Sequence, residues 1–261
     1  NDETSQNNVI SRKIGFGSTL RYLVFLWNAH RFLKKRKNEF SIIHSHTIEW
    51  PGYVAAELSR RLGKRLIIKD STMNGITNIL RFPRGREKQQ LIISRGHFVA
   101  MTRVIADNLI AAGVDPKNIS KIPNGIRIDG TYKKDFQRSE NVLFVGNLYQ
   151  QPAKGVDILL KAWKTVVNAF PACTLTIAGD GDLDAYKKYC AEHNIGDSVI
   201  FLGKHSDVSG LMLPADVFVL PSRREGMPNV LMEAMLRAVP SVATDISGSQ
   251  DLIEHMQTGI L

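Results

Sequence analysis

The feature that most constrains this chain is a repeated local pattern: a short β-branched run, a turn, then a helical stretch. It is clearest after residue 140. Asn141–Val145 (NVLFV) has strand character. Gly155–Phe170 follows, with Val156, Leu159, Leu160, Trp163, Val166, Val167 and Phe170 at helical spacing. Thr174–Ala178, Val199–Leu202, Val217–Leu220 and Ser241–Ala243 read as further strands, separated by predicted helices at Asp182–His193, Asp207–Pro214 and Pro228–Ala238. A parallel neighbour is reached only by a crossover long enough to hold a helix, so strands alternating with helices predict a parallel sheet. The second half is expected to be a doubly wound α/β sheet.

The first half repeats the pattern less regularly. Strands are predicted at Ile42–Ser45, Leu66–Lys69 and His97–Met101, with a helix near Tyr53–Leu62 that stops at Gly63. Thr102 is placed to cap a helix running to about Ala112, with Gly113 as its stop. Ile119–Ile122 then enters the turn signal Pro123-Asn124-Gly125. Arg127–Glu140 (RIDGTYKKDFQRSE) is polar, nearly free of aliphatic residues, and reads as an interdomain linker. The expected organisation is a domain over 1–126, a linker over 127–140 and a second domain over 141–261. The chain opens without Met and closes at Gly259-Ile260-Leu261 in strand-like sequence, so it reads as truncated at both ends.

With 43% apolar and 23% charged residues the chain is ordinary globular protein, and no apolar run approaches the roughly 20 residues that span a bilayer. The net charge of +9 admits an anionic ligand, nucleic acid or an acidic membrane surface. Nucleic acid is set aside, because the basic residues are scattered without aromatic interleaving or a known module. Residues 19–40 form a basic amphipathic stretch with Arg31, Lys34, Lys35, Arg36 and Lys37 at one end. It reads either as a helix lying on an anionic membrane or as a domain helix with a solvated basic end. Cys173 and Cys190 lack metal-ligand spacing and fit a reducing, cytoplasmic compartment. No metal motif occurs in the sequence.

The strongest chemical signal is PSRREGMPNVLMEAM, Pro221–Met235. Glu225 follows a predicted strand, where open α/β sheets bind ligands. Pro228 suits the first helical position, since its missing N–H would be unsatisfied there anyway. The N–H groups of Gly226, Met227 and Asn229 would then crown a helix N-terminus, a place suited to a phosphate or a sugar hydroxyl. Glu233 lies one turn beyond Asn229 on the same face. Two carboxylates around such a site can each accept hydrogen bonds from adjacent ring hydroxyls. The plainer alternative is that Glu225 caps the helix and Glu233 is a surface residue.

The whole string resembles the E-x7-E signature of the retaining glycosyltransferases of family four. Four segments in order carry the resemblance across 141–261: Leu143–Trp163 (LFVGNLYQQPAKGVDILLKAW), Thr176–Leu183 (TIAGDGDL), Val199–Val208 (VIFLGKHSDV) and the E-x7-E string. Ala100–Ile126 extends it into the region that joins the domains, and Ile42–Gly52 (IIHSHTIEWPG) resembles the family's acceptor side. The resemblance implies two Rossmann-like domains of the GT-B fold, the N-terminal one incomplete, and transfer of a sugar from a nucleotide diphosphate with retention. It gives Glu225 the transferred sugar, Glu233 the ribose and Lys154 the diphosphate, making Lys154 and Glu225 catalytic. Gly146, Asn147, Gly203, Lys204, Gly226, Met227, Pro228 and Asn229 complete the implied donor site.

Two departures stand out. Asn147 occupies a position where many relatives carry Arg, and Ser71 one where many carry His. His46 and Ser71 are the acceptor-side candidates. Gly15-Phe16-Gly17 is the only candidate for the family's first Gly-rich loop. The implied partners are a UDP- or GDP-linked sugar and a glycan or lipid-linked acceptor of the cell envelope, with no cofactor or metal. The expected location is the cytoplasm, with the inner face of the membrane as a possible site. A nucleotide-sugar-binding module without transferase activity is the alternative.

Overall fold

Among the described residues nine strands, all in parallel pairings, make two sheets. A computed structural model describes residues 18–70, 74–128, 130–134, 140–150 and 152–261. The chain divides into two compact units between Ile122 and Pro123; the expected boundary was residue 126.

The first unit runs α1 (Ser18–Lys35), β1 (Ile42–Ser45), α2 (Glu49–Leu62), β2 (Arg65–Asp70), α3 (Gly75–Asn78), α4 (Gly85–Arg95), β3 (Gly96–Ala100), α5 (Arg103–Ala111) and β4 (Ile119–Lys121). Its strands lie in chain order, β1-β2-β3-β4. Helix α2 begins at Glu49, earlier than the predicted Tyr53, with Pro51 in its first turn. Proline is tolerated there because first-turn N–H groups have no intrahelical acceptor. The helix ends at Gly63, whose left-handed φ of 64° suits glycine. Thr102 caps α5 as expected, accepting from Ile105 N at 3.2 Å. Helix α4 was not anticipated. Its sequence, GREKQQLIISR, carries no helical apolar stripe, and Ile92 is its one buried side chain.

The second unit runs β5 (Asn141–Val145), α6 (Val156–Ala169), β6 (Thr174–Ala178), α7 (Asp184–Glu192), β7 (Val199–Gly203), α8 (Val208–Met212), β8 (Val217–Leu220), α9 (Asn229–Leu236), β9 (Ser241–Ala243) and α10 (Ser247–Gln250). The strand order is β7-β6-β5-β8-β9. Alternation along β5 feeds a core on each face. Phe144 packs with Leu160, Trp163 and Ile177 under α6 and α7, whereas Leu143 packs with Met212, Leu231 and Ala234 under α8 and α9. Trp163 is 2% exposed, and its indole N–H finds Ser198 Oγ at 2.9 Å. This is the doubly wound sheet expected from the sequence.

The described parts of the expected linker lie on the second unit. Arg237 stacks over Tyr132 at 5.3 Å, and Lys134 Nζ donates to the Ala215 carbonyl. The Glu140 and Asn141 N–H groups both donate to Asp216 Oδ2, at 3.1 and 2.9 Å. No helix among the described residues is long and apolar enough to cross a membrane.

Candidate functional site

In the second sheet β5 lies between β6 and β8, so the chain winds outward on one side and returns to build the other. The loops leaving β5 and β8 must part at this reversal, which opens a crevice at the strands' carboxyl ends. A cavity of ≈ 460 Å³ occupies it. Its walls come from the ends of β5, β6 and β7, from Lys154 and from residues 225–233.

Glycines let these loops approach closely. A Cβ on Gly179 would lie 1.8 Å from the Gly146 carbonyl oxygen, and one on Gly155 would lie 1.9 Å from that of Pro221. Gly155 also has φ +69°, so its position demands glycine twice over. Around it the loop before α6 is clasped to the loop after β8. Arg223 N donates to Ala153 O at 2.8 Å, and Arg223 Nη1 to Pro152 O at 2.7 Å. The Arg223 guanidinium grips Asp157 with two bonds of 2.7 Å. Those bonds hold the Asp157 carboxyl below the usual carboxylate range.

The clasp brings together residues 71 positions apart. Lys154 Nζ meets Glu225 Oε1 at 2.7 Å, with the two side chains 18% and 12% exposed. Ser222 Oγ donates to the same oxygen at 2.7 Å. Glu233 lines the cavity from α9, and burial pushes its carboxyl pKa up, partly offset by Arg237. Gly146, Asn147, Lys204, Met227, Pro228 and Asn229 line the same cavity.

Two expected donor-site residues do not line it. The Gly203 carbonyl accepts from Gly179 N at 2.8 Å, and the Gly226 carbonyl lies where a Cβ on Gly248 would come within 2.4 Å. Both shape the loops from behind. Pro228 is not the first helical residue. It is the N-cap of α9, with an extended ψ of 106°, and the helix starts at Asn229. The N–H groups of Gly226 and Met227 therefore precede the helix. Asn124 ties this segment down, donating from its N to Met227 Sδ at 3.1 Å and from Nδ2 to Asn229 Oδ1 at 2.9 Å.

Asn147 turns its Oδ1 back to Tyr149 N at 3.0 Å, so this side chain shapes its own turn. Arg223 is committed to Asp157 and Pro152. Lys204 is largely exposed and faces Asp180 at 3.8 Å. Lys154 is thus the half-buried cation of the cavity. His46 follows β1 in the first unit, its ring 4.5 Å from that of His44. Burial, then His46 and Lys69, lower the His44 pKa. Ser71 and Gly15-Phe16-Gly17 lie outside the described residues. Among the described residues no group of three or more His, Cys, Asp or Glu could hold a metal ion.

Sequence reasoning missed Ser222, Asp157 and Asn124 as parts of this site. Ser222 stood inside the motif, but its partner oxygen could not be read from spacing.

Comparison with known proteins bears on this arrangement. The family model described as "Glycosyltransferase Family 4" matches residues 2–129, and that described as "Glycosyl transferases group 1" matches residues 139–261. An uncharacterized glycosyltransferase of Haemophilus influenzae is 37% identical over 125 residues, covering 47% of this chain and 35% of that protein. The UDP-Gal:alpha-D-GlcNAc-diphosphoundecaprenol alpha-1,3-galactosyltransferase of Escherichia coli is 32% identical over 164 residues, covering 57% of this chain and 42% of that enzyme. The chain thus spans less than half the length of these two relatives. The crystal structure of Anabaena Alr3699/HepE in complex with UDP and glucose superposes with a TM-score of 0.72 at 23% identity, over 94% of this chain and 69% of that one. That likeness shows the fold: Rossmann-like units of the GT-B class.

Proposed function

The chain belongs to the glycosyltransferases of family four, and from that premise we propose that it moves a sugar from a nucleotide diphosphate to an acceptor hydroxyl with retention. The observation that carries this reading is the convergence of Lys154, Glu225 and Glu233 on one cavity at the strand-order reversal. Glu225 accepts hydrogen bonds from the transferred sugar, and Glu233 from the ribose diol. Lys154 stands beside the diphosphate. As the bond from the anomeric carbon to the phosphate oxygen breaks, negative charge grows on that oxygen, and a fixed cation in a shielded site lowers the barrier. The acceptor oxygen bonds to the anomeric carbon on the same face, and its proton passes to the departing phosphate oxygen. No separate protein base is required.

UDP in the HepE complex and the UDP-galactose donor in the Escherichia coli relative's name support a uridine diphosphate donor. That same name supports a lipid-linked acceptor; to this we add, as our own assignment, a glycan as the other candidate acceptor and a place in envelope polysaccharide or glycolipid synthesis in the cytoplasm. We assign acceptor contacts to the first unit, with His46 and Ser71, and no cofactor or metal to the reaction. Phe25, Trp27 and Phe32 are exposed beside the basic end of α1, which supports contact of residues 19–40 with an anionic membrane.

A second reading, a binding module that holds donor without transferring it, is favoured by Asn147, which supplies no charge. A thermal-shift screen against UDP-, GDP- and ADP-sugars, followed by a radiolabelled transfer assay, decides between them. A donor at 100 times its Kd stabilises the fold by about 2.7 kcal/mol. Stabilisation without transfer selects the binding module, and no stabilisation by any donor sinks both.

A further inference from the structure

The Glu225 carboxylate is held at one oxygen and open at the other. Oε1 takes two donors, Ser222 Oγ and Lys154 Nζ, each at 2.7 Å. Oε2 has no hydrogen-bond partner among the described residues. We propose that Ser222 is the positioning residue of the sugar subsite: its hydroxyl pins Oε1 so that Oε2 stays presented to the transferred sugar when Lys154 turns to the diphosphate. This rests on the reading that Glu225 meets the sugar and Glu233 the ribose.

The two holders of Oε1 differ in kind. Lysine carries a point charge on a flexible four-carbon stem with three donors, so an arriving diphosphate can draw it away or share it. Serine has a short stem and one donor. Ser222 is fully buried, two residues beyond the end of β8. Its backbone is pinned as well. Thr244, just beyond the neighbouring strand β9, donates from Oγ1 to the Ser222 carbonyl and from its N to Leu220 O at 3.0 Å. The hydroxyl therefore projects from two hydrogen-bonded strand ends and cannot follow the ligand. Without it, Glu225 would be tied to Lys154 alone and would move with it at the moment the sugar must be oriented. Small misplacements of such a group are expensive in rate.

A serine that merely stabilised its turn would disturb everything bound in the cavity. A serine acting through Glu225 disturbs only what Glu225 touches. The test is calorimetry on the whole chain with UDP and with UDP-glucose, or with GDP and GDP-mannose if the wild type prefers them. Ser222→Ala should weaken the sugar nucleotide about tenfold, the order of one lost hydrogen bond to a charged group, and leave the bare nucleotide within roughly twofold. Glu225→Ala should show the same selectivity, and the double variant should bind no worse than Glu225→Ala alone. Ser222→Cys keeps the volume with a weaker donor and should fall between. Equal weakening of both ligands, no change in their ratio, or losses that add in the double variant would overturn the proposal. Should Ser222→Ala not fold, Ser222→Cys decides by the same ratio. A wild type that binds none of these ligands overturns the functional reading and this inference with it; a wild type that binds them with an unchanged ratio in the variants overturns this inference only.

Discussion

The two sheets are built from the same βα repeat, yet the cavity with the convergent carboxylates belongs to the second. In the first, β1 to β4 follow chain order. In the second, β5 is flanked by β6 and β8, and the loops around the reversal are drawn together by glycines and by the Arg223–Asp157 clasp. Two glycines show the difference at one backbone angle. Gly63 closes α2 at φ +64° with open space where a Cβ would stand, whereas Gly155 opens α6 at φ +69° against the Pro221 carbonyl. Parallel strands with helical crossovers make a scaffold; a reversal and close loop contact make a binding crevice.

The sharpest way to break that comparison is to add one methyl group to each glycine. Gly63→Ala should cost about 1–2 kcal/mol, the strain of a left-handed residue, and leave nucleotide-sugar affinity unchanged. Gly155→Ala adds overpacking to the same strain, for a total of about 2–5 kcal/mol, and should abolish donor binding. Urea unfolding with calorimetry measures both. Equal losses for the two variants would mean that the clasp at Pro221 is slack.

Next in size is the carboxylate pair. Glu233→Ala should lower affinity for nucleotide and sugar nucleotide alike by about 1.5–3 kcal/mol, while Glu192→Ala, on α7 outside the cavity, should change neither. If titration calorimetry finds the two variants alike, Glu233 does not hold the ribose.

Two shielded carboxylates, buried Glu57 in the first unit and half-buried Glu233 in the second, should respond to acid in opposite directions. In the first unit, hydrogen bonds from Arg60 and Arg61 hold the Glu57 pKa below its ordinary 4.5. Its stabilising contribution is present above that ordinary value and is lost as pH falls through the lowered one. In the second unit burial holds the Glu233 pKa above 4.5. Its ionised form is disfavoured on folding, so this penalty is present above the raised pKa and is relieved as pH falls through it. Donor affinity should therefore start to drop at a higher pH than for an ordinary carboxylate, even though this group then favours the fold. Stability against pH for Glu57→Gln and Glu233→Gln should deviate from wild type with opposite signs; deviations of one sign would refute the assignment.

The smallest effect is expected just after α9, where Ala238 has a φ of 55°. Ala238→Gly should relieve strain against a more flexible unfolded chain, for a net gain of about 0.5–1 kcal/mol and a Tm higher by about 1–4 °C. A lower Tm would show that the Ala238 methyl is needed for packing.

Much of this was legible beforehand. All five strands of the second sheet match their predicted spans to within a residue, because the apolar period and the turn residues are local signals. Helix α4 was not legible, since it is held in place by tertiary bonds such as that from Gln89 Nε2 to Ile76 O at 3.0 Å rather than by a stripe of its own. The start of α2 was misjudged because Pro51 reads as a breaker unless it sits in a first turn. Glu225, Glu233 and Lys154 could be named as candidates from the motif, while Ser222, Asp157 and Arg223 could not be given partners.

By itself the sequence determined the parallel α/β class, the two-part organisation and the E-x7-E segment, since each is written in periods and spacings within a few tens of residues. Only the tertiary structure decided that Lys154 meets Glu225, that Arg223 is spent on Asp157, and that Pro228 caps α9 instead of beginning it. Those facts depend on strand order and on contacts between residues 66 and 71 positions apart. Local chemistry specifies the conformation of most segments, α4 excepted. Which segments become neighbours follows from burying both faces of a sheet whose middle strand came first.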